Sequence, residues 1–249
     1  MSGHSKWSTI KHKKARLDAK RGKNWSKLAR NVTMAAKSGG GNPEDNPRLR
    51  LAIDKAKADN MPKDTIEKAV KKGTGELEGA DYEEIVYEGY GANGVAIMAR
   101  ALTDNRARTA AEIKKIFERV GGNLGAPNCV AWMFSTKGVF AVNAEEVPED
   151  RIMEVALEAG AEDASSSQLV HEITCAPEDY HQVKAALEAA GIPIQSSDVT
   201  HLAANTVTLD LDASRKVLRL IEALEEHDDI ESVSSNMDLS DEVMKELSA

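Results

Sequence analysis

The chain has 249 residues, of which 41% are hydrophobic, and a formal net charge of −9. That length allows one large domain or two to three small ones, and the apolar fraction is enough for real cores, which excludes a wholly disordered chain. No stretch approaches the ~18 consecutive apolar residues of a membrane span, and no signal-like apolar run follows Met1–Lys6, so a soluble cytoplasmic protein with no membrane partner is expected.

The charge is unevenly spread. Residues 1–75 hold 19 of the 32 Lys/Arg but only 7 of the 41 Asp/Glu, a local balance of +12, which leaves −21 for the remainder. Such polarity concentrates attraction to phosphate at one end while the rest of the surface repels it. The alternative reading of the same polarity is solubility or intramolecular attraction.

At the N-terminus, Gly3-His4-Ser5-Lys6-Trp7-Ser8 and Lys11-His12-Lys13-Lys14 combine cations with an indole. The lysines suit phosphates, and Trp7 suits either a base or an anchorage on its own domain. From Lys20 to Lys37 the spacing predicts a helix. Trp25, Leu28, Ala29, Val32 and Ala36 fall on one side, and Lys20, Lys23, Lys27, Arg30 and Lys37 on the other. Ser38-Gly39-Gly40-Gly41-Asn42-Pro43 interrupts it. A second helix is expected from Asn46-Pro47, with Leu49, Ala52, Ile53 and Ala56 inward, because an Asn cap and a first-turn proline suit the orphan N–H groups. A third is expected from near Pro62 to before Gly73, with Ile66, Ala69 and Val70 inward. Lys71 through Ala80 reads as a linker where the composition changes sign, and it lacks the motif of a phosphate-binding loop.

Beyond the linker, Ile85–Tyr90 and Val95–Ala99 read as strands, Thr109–Arg119 as a helix, and Val130–Phe134 as a further strand. In Thr103-Asp104-Asn105-Arg106-Ala107-Arg108-Thr109, Asp104 or Asn105 is a helix cap, and Arg106 and Arg108 are candidates for phosphate, inter-domain or partner contacts. Gly121-Gly122-Asn123-Leu124-Gly125 ends the helix and turns the chain. Residues 138–204 read as strand 139–142, helix 150–159, strand 169–174, helix 177–190 and a strand after Ile192-Pro193-Ile194, a split-βαβ order. Strand 207–211, helix 213–226 and strand 230–233 follow, placed to close the earlier sheet around an insert. Glu222, Glu225, Glu226, Asp228 and Asp229 read as a solvated acidic helix end.

Cys129 and Cys175 are expected as reduced, partly buried thiols. The six histidines show no metal-ligand spacing, and no serine sits in a nucleophile elbow, so no cofactor, no metal and no catalysis are expected.

Almost the whole chain resembles the YebC family, which includes the mitochondrial translational activators of cytochrome oxidase. The resemblance rests on Gly3-His4-Ser5-Lys6-Trp7, Ile10-Lys11-His12-Lys13-Lys14, Asn60-Met61-Pro62-Lys63-Asp64, Tyr87-Glu88-Gly89-Tyr90-Gly91, Leu102-Thr103-Asp104-Asn105, and Gly121-Gly122-Asn123-Leu124-Gly125 followed by Met133-Phe134. Ala92-Asn93 replace the family's proline and glycine, Ala126-Pro127-Asn128-Cys129 alters the following turn, and Arg100 stands where an acid is commoner.

The resemblance implies an α+β fold with a helical N-terminal domain and two small α/β-sandwich domains, the third inserted into the second. On this sequence the division is 1–78, 79–136 plus 205–249, and 137–204. It also implies a regulator of gene expression that binds nucleic acid, either ribosomal RNA on the ribosome in support of translation or duplex DNA in transcription. Lys11, Lys13, Lys14, Arg16, Lys20, Arg21, Lys23, Lys27 and Arg30 are the candidate contacts, with Trp7 and His12 as base or phosphate neighbours. The sequence specifies no oligomeric state.

Overall fold

The computed structural model describes residues 21–248. Helices α1 (Arg21–Gly39), α2 (Pro47–Ala58) and α3 (Lys63–Gly73) form a helical unit. Val32, Ala35 and Ala36 meet Leu49, Ala52 and Ala56 of the second helix and Ile66 and Ala69 of the third. Small side chains let the helices approach closely: a Cβ on Gly73 would stand 2.3 Å from the Thr33 carbonyl oxygen.

The α1–α2 turn is organised by Asn46, which is buried. Its Oδ1 accepts from Leu49 N–H at 3.0 Å, and its Nδ2 donates to the carbonyls of Ala35 at 2.8 Å and Gly40 at 2.9 Å. One amide thus caps α2 and ties it to the end of α1, with Pro47 in the first turn as the sequence predicts. Asn46→Ala is expected to cost about 2 kcal/mol, the upper part of the range for a lost cap, since the carbonyl contacts go with it. Chemical denaturation followed by circular dichroism at 222 nm checks this.

The first sheet contains β1 (Glu83–Tyr90), β2 (Ala96–Thr103), β3 (Asn123–Leu124) and β9 (Ile230–Ser235) in the order β3-β1-β2-β9, with every pair antiparallel. Helices α4 (Arg106–Val120) and α7 (Leu211–Glu225) share its core. Ile97, Ala99 and Ala101 on alternate positions of β2 join Ile113, Phe117, Val217, Leu220 and Leu224. The intervening residues Ala96 and Met98 face a small cluster around Val130.

Between β3 and α7 the chain builds a second sheet. It consists of β4 (Phe134–Asn143), β5 (Asp163–Ser166), β6 (Val170–Cys175) and β7 (Ile194–Ala203), ordered β5-β6-β4-β7 and antiparallel throughout. Helices α5 (Glu149–Glu158) and α6 (Tyr180–Ala189) supply the rest of its core, where the Tyr180 and Phe140 rings stack at 5.0 Å. This is the split-βαβ order expected from residues 138–204. The short strands β8 (Val207–Thr208) and β10 (Met237–Asp238) pair in parallel, and helix α8 (Asp241–Ser248) buries Met244 in the first core.

Two sequence expectations are corrected. Val130–Phe134 is not a strand: Ala131–Met133 form a 3-10 turn, and the strand begins only at Phe134. The carboxylate of Glu88, 4% exposed, accepts from the N–H groups of Asn128, Val130 and Ala131 at 2.6, 2.8 and 2.7 Å, and this turns the segment away from extended pairing. Strand 207–211 is also cut short, because Asp210 accepts from Ala213 N–H at 2.8 Å and starts α7 instead.

The helical unit touches both sheets. Arg48 pairs with Glu84 of β1 at 2.7 Å, while Lys55 pairs with Asp198 of β7 at 2.5 Å and Leu51 packs against the second core.

Candidate nucleic-acid interface

Of the predicted contacts, Trp7, Lys11, His12, Lys13, Lys14, Arg16 and Lys20 lie outside the described residues. Arg21 and Lys23 stand in the first turn of α1. Lys27 and Arg30 are directed inward, toward the first sheet unit. Lys27 Nζ donates to the Glu225 carbonyl at 2.5 Å, and Arg30 donates to the Asp228 carbonyl and to Asp229 Oδ1 at 2.8 Å. Both carbonyls belong to the C-terminal end of α7 and the residues just beyond it, where the helix dipole and unsatisfied C=O groups favour cations. Half-buried, with its guanidinium 6.0 Å from the centroid of the Tyr82 ring, Arg30 is engaged within the molecule rather than presented to a nucleic acid.

Asp229 is the centre of that contact. Only 6% exposed, it accepts from Arg30 at Oδ1, and at Oδ2 from Arg108 at 2.9 Å, Thr109 Oγ1 at 2.7 Å and Thr103 Oγ1 at 3.2 Å. Burial by itself would raise its pKa. The hydrogen bonds from Thr109, Arg108 and Arg30 outweigh burial and hold the carboxyl at about 2. The sequence reading of Asp229 as part of a solvated acidic end is therefore corrected: it is a buried acceptor shared by a helical-unit arginine and a sheet-unit arginine.

Arg108, one of the two candidates for inter-domain or partner contacts, completes this cluster and also pairs with Asp104 at 3.1 Å. Arg106 remains exposed, 4.0 Å from Glu83. Asn105, not Asp104, caps α4, accepting from Arg108 N–H at 3.1 Å. At the neighbouring contact Glu84 is held below the usual carboxylate range: burial opposes this, but Arg48 and Arg100 prevail.

Sequence reasoning missed the cations of α3. Lys68, Lys71 and Lys72 are exposed at i, i+3 and i+4, hence on one helix face. None of the three has a carboxylate partner among the described residues. Lys63 of the same helix faces Glu67 at 3.6 Å. The sequence places Lys71 and Lys72 both at the end of the third helix and at the start of a linker, and they form the last turn of the helix.

Elsewhere, Ser166 Oγ lies 2.7 Å from His171 Nδ1, and His171 Nε2 lies 2.8 Å from the Val147 carbonyl. A carbonyl only accepts, so His171 donates its Nε2–H to Val147. His171, buried on β6, thereby ties together β5, through Ser166, and the loop before α5, through Val147. Among the described residues no group of three or more His, Cys, Asp or Glu side chains is placed to hold a metal ion. Both thiols are free, and burial first of all pushes Cys175 up to about 11.

Residues 5–76 match the TACO1/YebC protein N-terminal domain, and residues 82–237 match the TACO1/YebC second and third domain. The chain belongs to the TACO1/YebC family. A probable transcriptional regulatory protein of Desulfatibacillum aliphaticivorans is 52% identical over 246 residues, covering 99% of this chain and 100% of that one. One from Desulforapulum autotrophicum is 53% identical over 243 residues, with 98% of each chain covered. The crystal structure of a conserved hypothetical protein from Aquifex aeolicus superposes with a TM-score of 0.80 at 47% identity, over 91% of this chain and 94% of that one. The TACO1/YebC N-terminal match coincides with the basic segment, and the second match contains both sheets.

Proposed function

We propose that this chain is a non-enzymatic, cytoplasmic regulator of gene expression that docks its basic N-terminal pole on ribosomal RNA and supports translation. In this reading residues 1–78 are the binding module, while residues 79–136 with 205–249 and the insert 137–204 position it. The observation that carries it is the charge separation, +12 against −21, together with the exposed lysine face of α3. The acidic remainder repels phosphate, so a polyanion engages one pole only. Lysines neutralise phosphate. The exposed side chains of α3 are Lys63, Asp64, Glu67, Lys68, Lys71 and Lys72, which include lysines able to reach a guanine edge but no Asn or Gln to read adenine and no arginine fork. That chemistry favours a structured RNA recognised by shape and backbone over an operator sequence.

A second reading, duplex DNA binding in transcription, is favoured by the relatives' names as probable transcriptional regulatory proteins. The two separate in an equilibrium titration of the full chain against a folded ribosomal-RNA fragment and against duplex DNA at matched salt. Replacing Lys68, Lys71 and Lys72 by glutamine is expected to weaken RNA binding about tenfold and to flatten the log K against log salt slope by roughly two to three units. An unchanged slope removes α3 from the interface. Tight binding to one promoter duplex and not to unrelated duplexes favours the second reading.

A further inference from the structure

Strand β1 has different surfaces at its two ends. Near Glu84 it meets the helical unit through Arg48. At the other end Tyr90, 36% exposed, donates its hydroxyl to the Cys129 carbonyl at 3.2 Å. Trp132, 75% exposed, donates Nε1 to the same carbonyl at 3.1 Å. One acceptor therefore brings the polar edges of both rings together. Tyr90 lies six residue steps of extended strand from Glu84, roughly 20 Å, so this pair stands well away from the Arg48 contact with the helical unit.

The segment that carries Trp132 is rigidly built. Glu88 gathers three of its N–H groups, Gly125 N–H donates to the Glu88 carbonyl at 2.8 Å, and Asn128 is accommodated at a φ of 66°. Val130 is buried against Ala96 and Met98. Single exposed apolar residues need no explanation, but a tryptophan held out from a loop anchored to a buried carboxylate is a preorganised surface. Its N–H is already used, so the indole offers a partner its π faces.

We propose that Trp132 and Tyr90 form a docking platform for an arginine-bearing basic segment of a protein partner. A guanidinium is planar, weakly hydrated and cationic, and it stacks on indole better than an ammonium does. Residues 76–249 carry a net −21, which draws cationic peptides and repels polyanions. A stacked nucleobase is the other chemistry an exposed indole serves, and it brings a phosphate into that same negative field. The inference does not rest on what the basic pole binds.

The test is a titration of the full chain with a short peptide of alternating glycine and arginine, with its lysine counterpart, and with oligouridylate. The readout is the Trp132 indole N–H resonance, assigned by its loss in Trp132→Phe. The arginine peptide is expected to move this resonance and to bind about five-fold tighter than the lysine peptide. Trp132→Ala is expected to remove that margin and Trp132→Phe to keep part of it, both with wild-type thermal unfolding because the ring is exposed. Substitution of Lys68, Lys71 and Lys72 by glutamine leaves it intact. A resonance unmoved by the arginine peptide, equal binding of that peptide to Trp132→Ala, or a shift produced by oligouridylate alone would overturn the proposal.

Discussion

Asp229→Ala is expected to release the helical unit from the first sheet and to destabilise the docked molecule by about 3 kcal/mol, the low end of the cost of breaking a buried ion pair from one side. The substitution removes the acceptor of Arg30, Arg108, Thr103 and Thr109 together. Arg30 is left half-buried without its carboxylate, while Arg108, more exposed, rehydrates, which keeps the cost at the low end. Lys27 still holds the Glu225 carbonyl, so release is a shift in population rather than complete separation. An increased radius of gyration by small-angle scattering, with faster proteolysis in the exposed stretch 74–81, is the expected signature. The same contact predicts an acid transition. The Asp229 carboxyl titrates at about 2 in the folded chain against 3.8 ordinarily, so its contribution is fully present above about pH 4 and is lost as the pH falls through about 2. After discounting for solvent near the partly exposed Arg108, the contribution is about 1–2 kcal/mol. In Asp229→Asn this acid limb should vanish, and scattering between pH 4 and pH 2 should separate it from wild type.

Glu88→Ala is expected to lower stability by a similar amount, about 3 kcal/mol, or roughly 6–12 °C in the unfolding transition of the sheet region. Three backbone N–H groups lose their acceptor at once. Val130 N–H is buried, whereas those of Asn128 and Ala131 are only partly so, and water entering there recovers part of the loss. Glu88→Gln keeps the volume but presents one oxygen and an NH2 group to three donors, so it should recover less than half of the loss. Differential scanning calorimetry of the three proteins orders them. A wild-type transition temperature in Glu88→Ala would show that the loop is held by Val130 and its cluster alone.

Local chemistry made much of the fold legible. The 3.6-residue apolar period located α1 to α3, and Asn46-Pro47 marked the start of α2 because cap and proline act within one turn. Short apolar and aromatic runs on either side of a glycine-containing turn located β1 and β2, and the strand–helix order of residues 138–204 pointed to the second sheet. Strand β5 escaped notice because Asp163-Ala164-Ser165-Ser166 has no β-branched or aromatic residue, and it is a strand through its pairing with β6. Val130–Phe134 has the residues of a strand, but a carboxylate some forty positions earlier decides its path.

The interface was legible in charge and not in geometry. Amphipathicity shows that Lys27 and Arg30 lie on the polar side of α1, yet it cannot show that the end of α7, about two hundred residues later, covers them. A run of acids is a solvated surface by default, so Asp229 looked no different from Glu226 until Arg30, Arg108 and Thr109 were brought around it. Lys68, Lys71 and Lys72 were within reach of the i, i+3, i+4 rule, but the glycines beside them drew attention to a linker.

The most direct measurement is crosslinking in cells followed by sequencing of all nucleic acid attached to the full chain, comparing the natural protein with one neutralised at Lys11, Lys13, Lys14, Lys68, Lys71 and Lys72. Crosslinks concentrated at defined ribosomal-RNA positions and lost in the neutralised protein are the predicted result. Crosslinks to promoter DNA with the same dependence on those lysines, or ribosomal-RNA crosslinks indifferent to them, would contradict the account.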